Sequence, residues 1–327
     1  MPPVAMITGT GHAVPERILD NKYFESIVDT SDEWIVTRTG IRERHVVEPG
    51  TGLSALAVPA ARQAMEKAGV GPLDIELIII CTVSGDLKFP STAIYVQREL
   101  GATNAAAFDV SATCAGYIYG LHLAKIFIES GNYKTILVIG GEILSSMTNY
   151  KDRSTCVLFG DGAGANIIQK GNGERGILAT YVGSDGRLAD LLYCWGSGSS
   201  HLWADGTTIT QDYFLKMRGN EVFRHAVRIM GSACEKVLEI AGISQDKIDL
   251  FIAHQANIRI VKAMASRLNL PSEKVYINIE RFGNTSAASV PIALNEALET
   301  GVLKPGQLCL MCSFGGGLTW GSAVVRI

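Results

Sequence analysis

Two segments of this chain repeat each other at a spacing that few folds can accommodate. AMEKAGVGPLDIELIIICTV is matched about 173 residues later by VLEIAGISQDKIDLFIAHQA. Each reads as a helix ending at Ala-Gly (Ala68-Gly69, Ala241-Gly242), a polar linker, an acidic residue and a buried strand (77–80, 250–253). Glycine just past a helix C-terminus takes the left-handed conformation without steric cost. Such a spacing is too long for a solenoid repeat and suits a duplicated domain. Three more pairs follow in the same order: FDVSATCAGYIYGLHLAKIF with VYINIERFGNTSAASVPIALNEAL, KTILVIGGE with QLCLMCSFGGG, and GDGAGANIIQ with TWGSAVVRI.

Short apolar strands alternate with helical stretches, so the class is α/β, built from βαβ units with mostly parallel sheets. Runs such as Ile136-Leu137-Val138-Ile139 are apolar throughout, and both sheet faces should be covered. The expected architecture is five layers, α-β-α-β-α, with halves at 1–172 and 173–327. The helices after Cys114 and Asn284, rich in Ala and Gly and poor in charge, would form the central layer. The stretch 193–210, including Trp195 and Asp205, lacks a counterpart in the first half. It reads as an inserted loop, and long loops in compact domains tend to be functional.

A chain of 327 residues, 47% hydrophobic and 19% charged, has ample material for a buried core. Its net charge of −3 gives no argument for nucleic acid or an anionic membrane as partner. No apolar run approaches the ~20 residues needed to span a bilayer. The N-terminus, MPPVAMITGTGHAVPE, lacks the basic and apolar regions of a signal peptide. Seven cysteines without tandem spacing read as free thiols of a reducing cytoplasm. Cys309-Leu-Met-Cys312 lies in an apolar strand-like run, where redox or zinc duty is not expected.

Three residues stand out at strand ends. Cys114 lies in Ser111-Ala112-Thr113-Cys114-Ala115-Gly116, between a strand at 106–110 and a long apolar helix. A sulfur at a helix N-terminus should have its pKa lowered by the macrodipole and free N–H groups. The plain alternative is a buried inert thiol, the reading kept for Cys81, Cys156, Cys234, Cys309 and Cys312. His254 follows an apolar strand and opens His-Gln-Ala-Asn, and Asn284 sits at the later turn. Active sites of doubly wound folds gather beyond strand carboxyl ends, which favours function over structure for this histidine. The six histidines show no metal-ligand spacing, so no metal is expected. The loop Phe314-Gly315-Gly316-Gly317-Leu318 lacks the Lys-Ser/Thr of a P-loop. It could be a tight turn or present a backbone N–H to an oxyanion. Gly160-Asp161-Gly162-Ala163-Gly164 reads as a structural turn.

With these residues in hand, the chain resembles the β-ketoacyl-[acyl-carrier-protein] synthase III family nearly end to end. The segments are TSDEWIVTRTGIRERH, the Cys114 turn, GDGAGA, MRGNEVF, HQANIRI, FGNTSAASVP and FGGGLTWGSA. The resemblance implies the thiolase fold and initiation of type II fatty acid synthesis by decarboxylating Claisen condensation. It implies Cys114 as nucleophile, His254 and Asn284 as its partners, and the backbone N–H groups of Cys114 and Gly316 as oxyanion hole. Thr30, Trp34, Arg38 and Arg153 would hold coenzyme A, with Trp34 and Arg153 clamping the adenine. Surface packing is the alternative for Trp34. Arg259 would meet the acidic carrier protein, and Phe89 would cross a homodimer interface to shape the partner's acyl pocket; otherwise Phe89 folds onto its own core. The expected partners are acyl-CoA and malonyl-acyl carrier protein, with no cofactor, since acyl-CoA is a substrate. Two rivals share these residues: a starter synthase or acyltransferase of quinolone or polyketide type, and a non-enzymatic acyl-CoA-binding protein.

Overall fold

The computed structural model describes residues 5–171, 173, 175–196, 198–199 and 213–327. One sheet holds β1 (Ala5–Ala13), β2 (Leu77–Cys81), β3 (Ala106–Val110), β4 (Thr135–Glu142) and β5 (Gly162–Lys170). The other holds β6 (Gly176–Ser184), β7 (Leu250–Ala253), β8 (Leu308–Gly315) and β9 (Thr319–Arg326). The strand orders are β1-β5-β4-β2-β3 and β6-β9-β8-β7. These orders match position by position. The missing fifth strand of the second sheet survives as a single bridge between Val275 and Phe251 of β7. In each sheet all strands but one run the same way, and the reversed strands, β5 and β9, hold equivalent places.

The helices named below are α1 (Asp32–Thr39), α2 (Ser54–Ala68), α3 (Thr92–Leu100), α4 (Gly116–Glu129), α5 (Gly219–Ala241), α6 (Ile258–Arg267) and α7 (Ser289–Glu299). α2 and α5 end at Gly69 (φ 66°) and Gly242 (φ 64°), the left-handed caps expected from the repeat. β2 shows why the layers form. Leu77, Ile79 and Cys81 pack toward α4 and α7, while Ile78 and Ile80 pack toward α2 and α3. A strand alternates its side chains between faces, so one wholly apolar run serves two layers at once. The central core joins Ile118 and Leu121 of α4 to Val290 and Leu294 of α7, with Val138 from one sheet and Met311 from the other. α5 and α6 close the far face of the second sheet. The result is the five-layer α-β-α-β-α arrangement.

Two local expectations need correcting. The Gly160–Gly164 segment is not simply a turn, because β5 starts at Gly162. A Cβ on Gly164 would lie 2.7 Å from Pro291 Cβ and 2.8 Å from Ile292 N, so glycine here lets α7 approach the strand. The run before Asn284 is not a strand entering a turn: after the Val275 bridge comes a short helix, Ile279–Phe282, and only then Asn284. Its polar inner partners explain this. Asn278 Nδ2 donates to Glu296, and its N–H donates to Gln255, which ties the segment to α7 and to the end of β7 instead of to a sheet.

Candidate active site

Two turns meet between the sheets. Thr113–Ala115 and Ser286–Ala288 are single 3-10 turns, each running directly into a central helix, α4 and α7. Each begins with a non-glycine residue in the left-handed region: Thr113 at φ 48° and Ser286 at φ 50°. Such a conformation costs roughly 1–3 kcal/mol and persists only where its surroundings enforce it. Here it points the two turns at one another. Ser286 Oγ stands 3.3 Å from Cys114 Sγ and 3.2 Å from Glu142 Oε1.

The glycine loop completes the enclosure of Cys114. A Cβ on Gly315 would lie 2.7 Å from Cys114 N and closer still to Thr113 Oγ1, so only glycine fits. Ser313 Oγ donates to Cys114 O at 2.5 Å, and Thr319 Oγ1 donates to Ala112 O at 2.9 Å. Thr113 Oγ1 donates to Gly316 O at 3.1 Å. The carbonyls of both segments are thereby engaged, and Gly316 is fixed beside the cysteine turn.

His254 follows β7 directly, with its N–H donating to Cys312 O at 2.8 Å. Asn284 is held by its N–H to Leu158 O (2.8 Å), and its carbonyl accepts from Gly160 N (3.0 Å). Asn284 Oδ1 accepts from Ser286 N at 2.9 Å. That bond fixes the amide's orientation and leaves its NH₂ as the donor end. Cys114, His254 and Asn284 all line one cavity of about 740 Å³. The cavity runs from exposed Arg38, Arg224 and Arg259 to buried His254 and Asn284.

Burial governs the electrostatics. It pushes the Cys114 thiol up to about 12, opposed by the Ser286 hydrogen bond and reinforced by the charge of Glu142. The expectation of a lowered thiol pKa is therefore overturned. A helix terminus supplies roughly 0.3–1 kcal/mol, less than one pKa unit at about 1.4 kcal/mol. Burial also lowers His254 to about 4, so the imidazole is neutral near pH 7. Its Nδ1 is buried with no hydrogen-bond partner among the described residues.

Residues 108–186 match the family model described as 3-Oxoacyl-[acyl-carrier-protein (ACP)] synthase III, and residues 238–327 match that of its C-terminal part. The β-ketoacyl-[acyl-carrier-protein] synthase III of Caldanaerobacter subterraneus subsp. tengcongensis is 50% identical over 323 residues, 98% of this chain and 97% of its own. The chain belongs to the β-ketoacyl-[acyl-carrier-protein] synthase III family. It is a condensing acyltransferase of the thiolase fold. The crystal structure of 3-oxoacyl-[acyl-carrier-protein] synthase III from Aquifex aeolicus matches with a TM-score of 0.92 at 46% identity, covering 99% of this chain and 100% of that one. The priming β-ketosynthase of the R1128 polyketide pathway matches with a TM-score of 0.92 at 34% identity, covering 99% and 97%.

Other residues singled out in the sequence fall in several places. Trp34 and Arg38, on α1, line the cavity; Thr30 and Arg153 lie outside its lining. Arg38 and Arg153 both lie over the Trp34 ring, at 4.5 and 5.1 Å, and Arg153 Nη1 also donates to Asp29 O. Arg259 lines the cavity from the first turn of α6, over the Phe223 ring at 5.6 Å. Phe89 is 82% exposed in the single chain, so it does not fold onto its own core. The base of the inserted loop, Leu192–Cys194 paired with Leu215–Met217, walls the cavity. The rest of the insertion, 197 and 200–212, lies outside the described residues.

Three contributors escaped the sequence reading: Ser286, Glu142 and Arg44. The Arg44 guanidinium is fully buried, donates to Val157 O and Asn21 Oδ1, and so anchors the cavity wall at Val157 and Leu158. The repeat spacing was the available signal for Ser286, since it places Ser286 opposite Thr113.

Neutral His254 has a measurable consequence. Its pKa is depressed by folding, so its stabilising contribution is complete above the ordinary value of 6.5 and is lost as pH falls toward about 4. The stability advantage of wild type over His254→Gln should shrink over that interval by up to roughly 3 kcal/mol. Urea unfolding of both proteins at several pH values measures this; a constant difference would show that His254 titrates normally.

Proposed function

We propose that this chain condenses a short acyl-CoA, with acetyl-CoA the expected primer, with malonyl-acyl carrier protein. The products are 3-oxoacyl-acyl carrier protein, CoA and carbon dioxide. The observation that carries this reading is the convergence of Cys114, His254 and Asn284 on one cavity with a cationic rim. Cys114 attacks the acyl-CoA carbonyl, and the N–H groups of Cys114 and Gly316 hold the resulting oxyanion. CoA leaves and the acyl group stays on sulfur. Malonyl-carrier protein then enters. Neutral His254 and the Asn284 amide donate to its thioester oxygen while carbon dioxide departs. The resulting enolate carbon attacks the acyl-Cys114 carbonyl. These residues suffice for both steps without a cofactor.

The rim fits both carriers of the acyl groups. Arg38, Arg224 and Arg259 offer cations to the phosphates of CoA and to an acidic carrier protein. An adenine clamped between Trp34 and Arg153 needs a gap of about 7 Å, two van der Waals contacts. The 5.1 Å separation means that Arg153 must swing away from the ring before the base enters. Thr30 would then stand beside the base. The priming β-ketosynthase of the polyketide pathway shares the fold, so the choice of primer and pathway rests on substrate tests. Intact-mass measurement after exposure to a panel of acyl-CoAs, followed by malonyl-carrier protein, makes that choice.

Cys114→Ser should form no acyl-enzyme, whereas His254→Ala and Asn284→Ala should still load acyl groups but lose condensation. One donor at the enolate stage is worth roughly 3–4 kcal/mol. Mass spectrometry reads loading and carbon dioxide release reads decarboxylation. Wild-type decarboxylation by either alanine variant would remove its residue from that step.

Arg259→Glu should raise the apparent KM for malonyl-carrier protein several-fold, leave acyl-CoA loading nearly unchanged, and weaken the salt dependence of the second half-reaction. Equal damage to both half-reactions would move Arg259 into a shared site.

Phe89 at 82% and Leu87 at 56% exposure form an apolar loop that suits a homodimer interface, where Phe89 would enter the partner's acyl cavity. Phe89→Ala should broaden the range of accepted primers. Light scattering that finds an active monomer would sink the interface, and an unaltered primer range would sink the pocket role.

A further inference from the structure

Among the described residues two carboxylates, Asp161 and Glu142, are fully buried. Asp161 has a structural task, accepting from Val47 N, Ser145 N and Ser145 Oγ. Glu142 differs, because one of its partners touches the nucleophile. It accepts from Thr82 Oγ1 (3.1 Å), Val83 N (3.2 Å), Ser84 Oγ, and Ser286 Oγ (3.2 Å). Ser286 Oγ is also the neighbour of Cys114 Sγ at 3.3 Å. A hydroxyl carries one proton and two lone pairs. When Ser286 donates to Glu142, its oxygen is left to accept from the Cys114 thiol. Sulfur, hydroxyl and carboxylate then form a continuous path for one proton.

We propose that Glu142, acting through Ser286, takes up the Cys114 thiol proton as Cys114 attacks the acyl-CoA. This rests on Cys114 being the acylated residue. In the step, the S–H bond breaks and its proton passes to Ser286 Oγ. The Ser286 proton passes to Glu142 Oε1, and the freed sulfur pair forms the bond to the thioester carbonyl carbon. When the tetrahedral intermediate collapses, the bond from carbon to the CoA sulfur breaks. The proton on Glu142 returns through Ser286 to that sulfur, and CoA leaves as a thiol. The relay is restored with acyl-Cys114 in place.

The charge balance favours this route over loss of the proton to water. Burial opposes a second negative charge beside Glu142, and the Glu142 charge itself raises the thiol. Internal transfer keeps a single negative charge in the site from start to finish. Burial also raises Glu142 to about 7 despite its donors, making it a stronger base than an ordinary carboxylate. The Glu142 charge also acts on Cys81 of β2, a thiol driven far up by burial, as does that of Asp109 of β3. His254, neutral and weakly basic, is a poor competitor for the proton. Ser286, which touches the reacting sulfur, is the catalytic residue of the pair, and Glu142 positions it and stores the proton.

The test is the rate of Cys114 alkylation by iodoacetamide, followed by intact mass from about pH 5 to 10, in wild type, Glu142→Gln and Ser286→Ala. Wild type should show an inflection near the raised Glu142 value. Both variants should lose that inflection and react at least about ten-fold more slowly at neutral pH. Glu142→Asp should recover part of the rate. A folded variant of either kind with the wild-type profile overturns the relay. If Glu142→Gln fails to fold, Ser286→Ala decides alone, since it leaves Glu142 its other three donors. Cys114→Ala separates the two claims: acyl-enzyme formation by that variant would overturn the nucleophile itself, and the relay with it.

Discussion

The arrangement of this site depends on two residues held in a left-handed conformation. Thr113 and Ser286 begin equivalent turns in the two halves, and their backbones bring the turns into contact across the central layer. Neither is glycine, so each conformation carries strain that the surrounding packing must offset. The packing is specific. Gly140 presses against the carbonyl of Ala287, and Gly315 presses against the amide of Cys114, where no side chain would fit. Close backbone approach from two sheets fixes the sulfur, and the hydrogen bonds of Ser313, Thr113 and Thr319 hold the glycine loop to it. Loosening either central helix would move the Cys114 sulfur relative to His254 and Asn284, which arrive on the other half.

The layers were legible because burial on both sides of a strand leaves an unbroken apolar run, and the repeat made each run count twice. Cys114 was legible because a strand, a small-residue turn and an apolar helix are local. Its thiol pKa was not, because the helix terminus is local but burial is a property of the assembled layers. The reversed strands β5 and β9 were hidden for a related reason: a wholly buried strand has the same composition whichever way it points. Ser286 and Glu142 are far apart in sequence from Cys114, and their contact exists only once the two turns meet. The stack of Arg38 and Arg153 over Trp34 likewise joins a helix to a distant segment.

The duplication also shows how one fold half diverged from the other. The strand registers place Glu142 at the end of β4 where Gly315 stands at the end of β8, and Cys81 where His254 stands. The turn that offers Cys114 in the first half offers Ala287 in the second. Each half thus keeps part of a site: one has the thiol and a carboxylate, the other the imidazole, the carboxamide and the glycine loop. Neither half alone brings the thiol, the imidazole and the carboxamide to one cavity.

This division is physically constrained. A side chain at position 315 would meet the Cys114 amide at contact distance and block the N–H proposed to hold the oxyanion. The charge of a carboxylate there would also repel the developing oxyanion directly. At position 142 the same group reaches the sulfur only through the Ser286 hydroxyl. There it can exchange a proton with the thiol while its charge stays on the far side of Ser286 from the sulfur. Glycine on the donor side and glutamate behind the serine are therefore complementary choices. A fold whose halves were identical could satisfy only one of them.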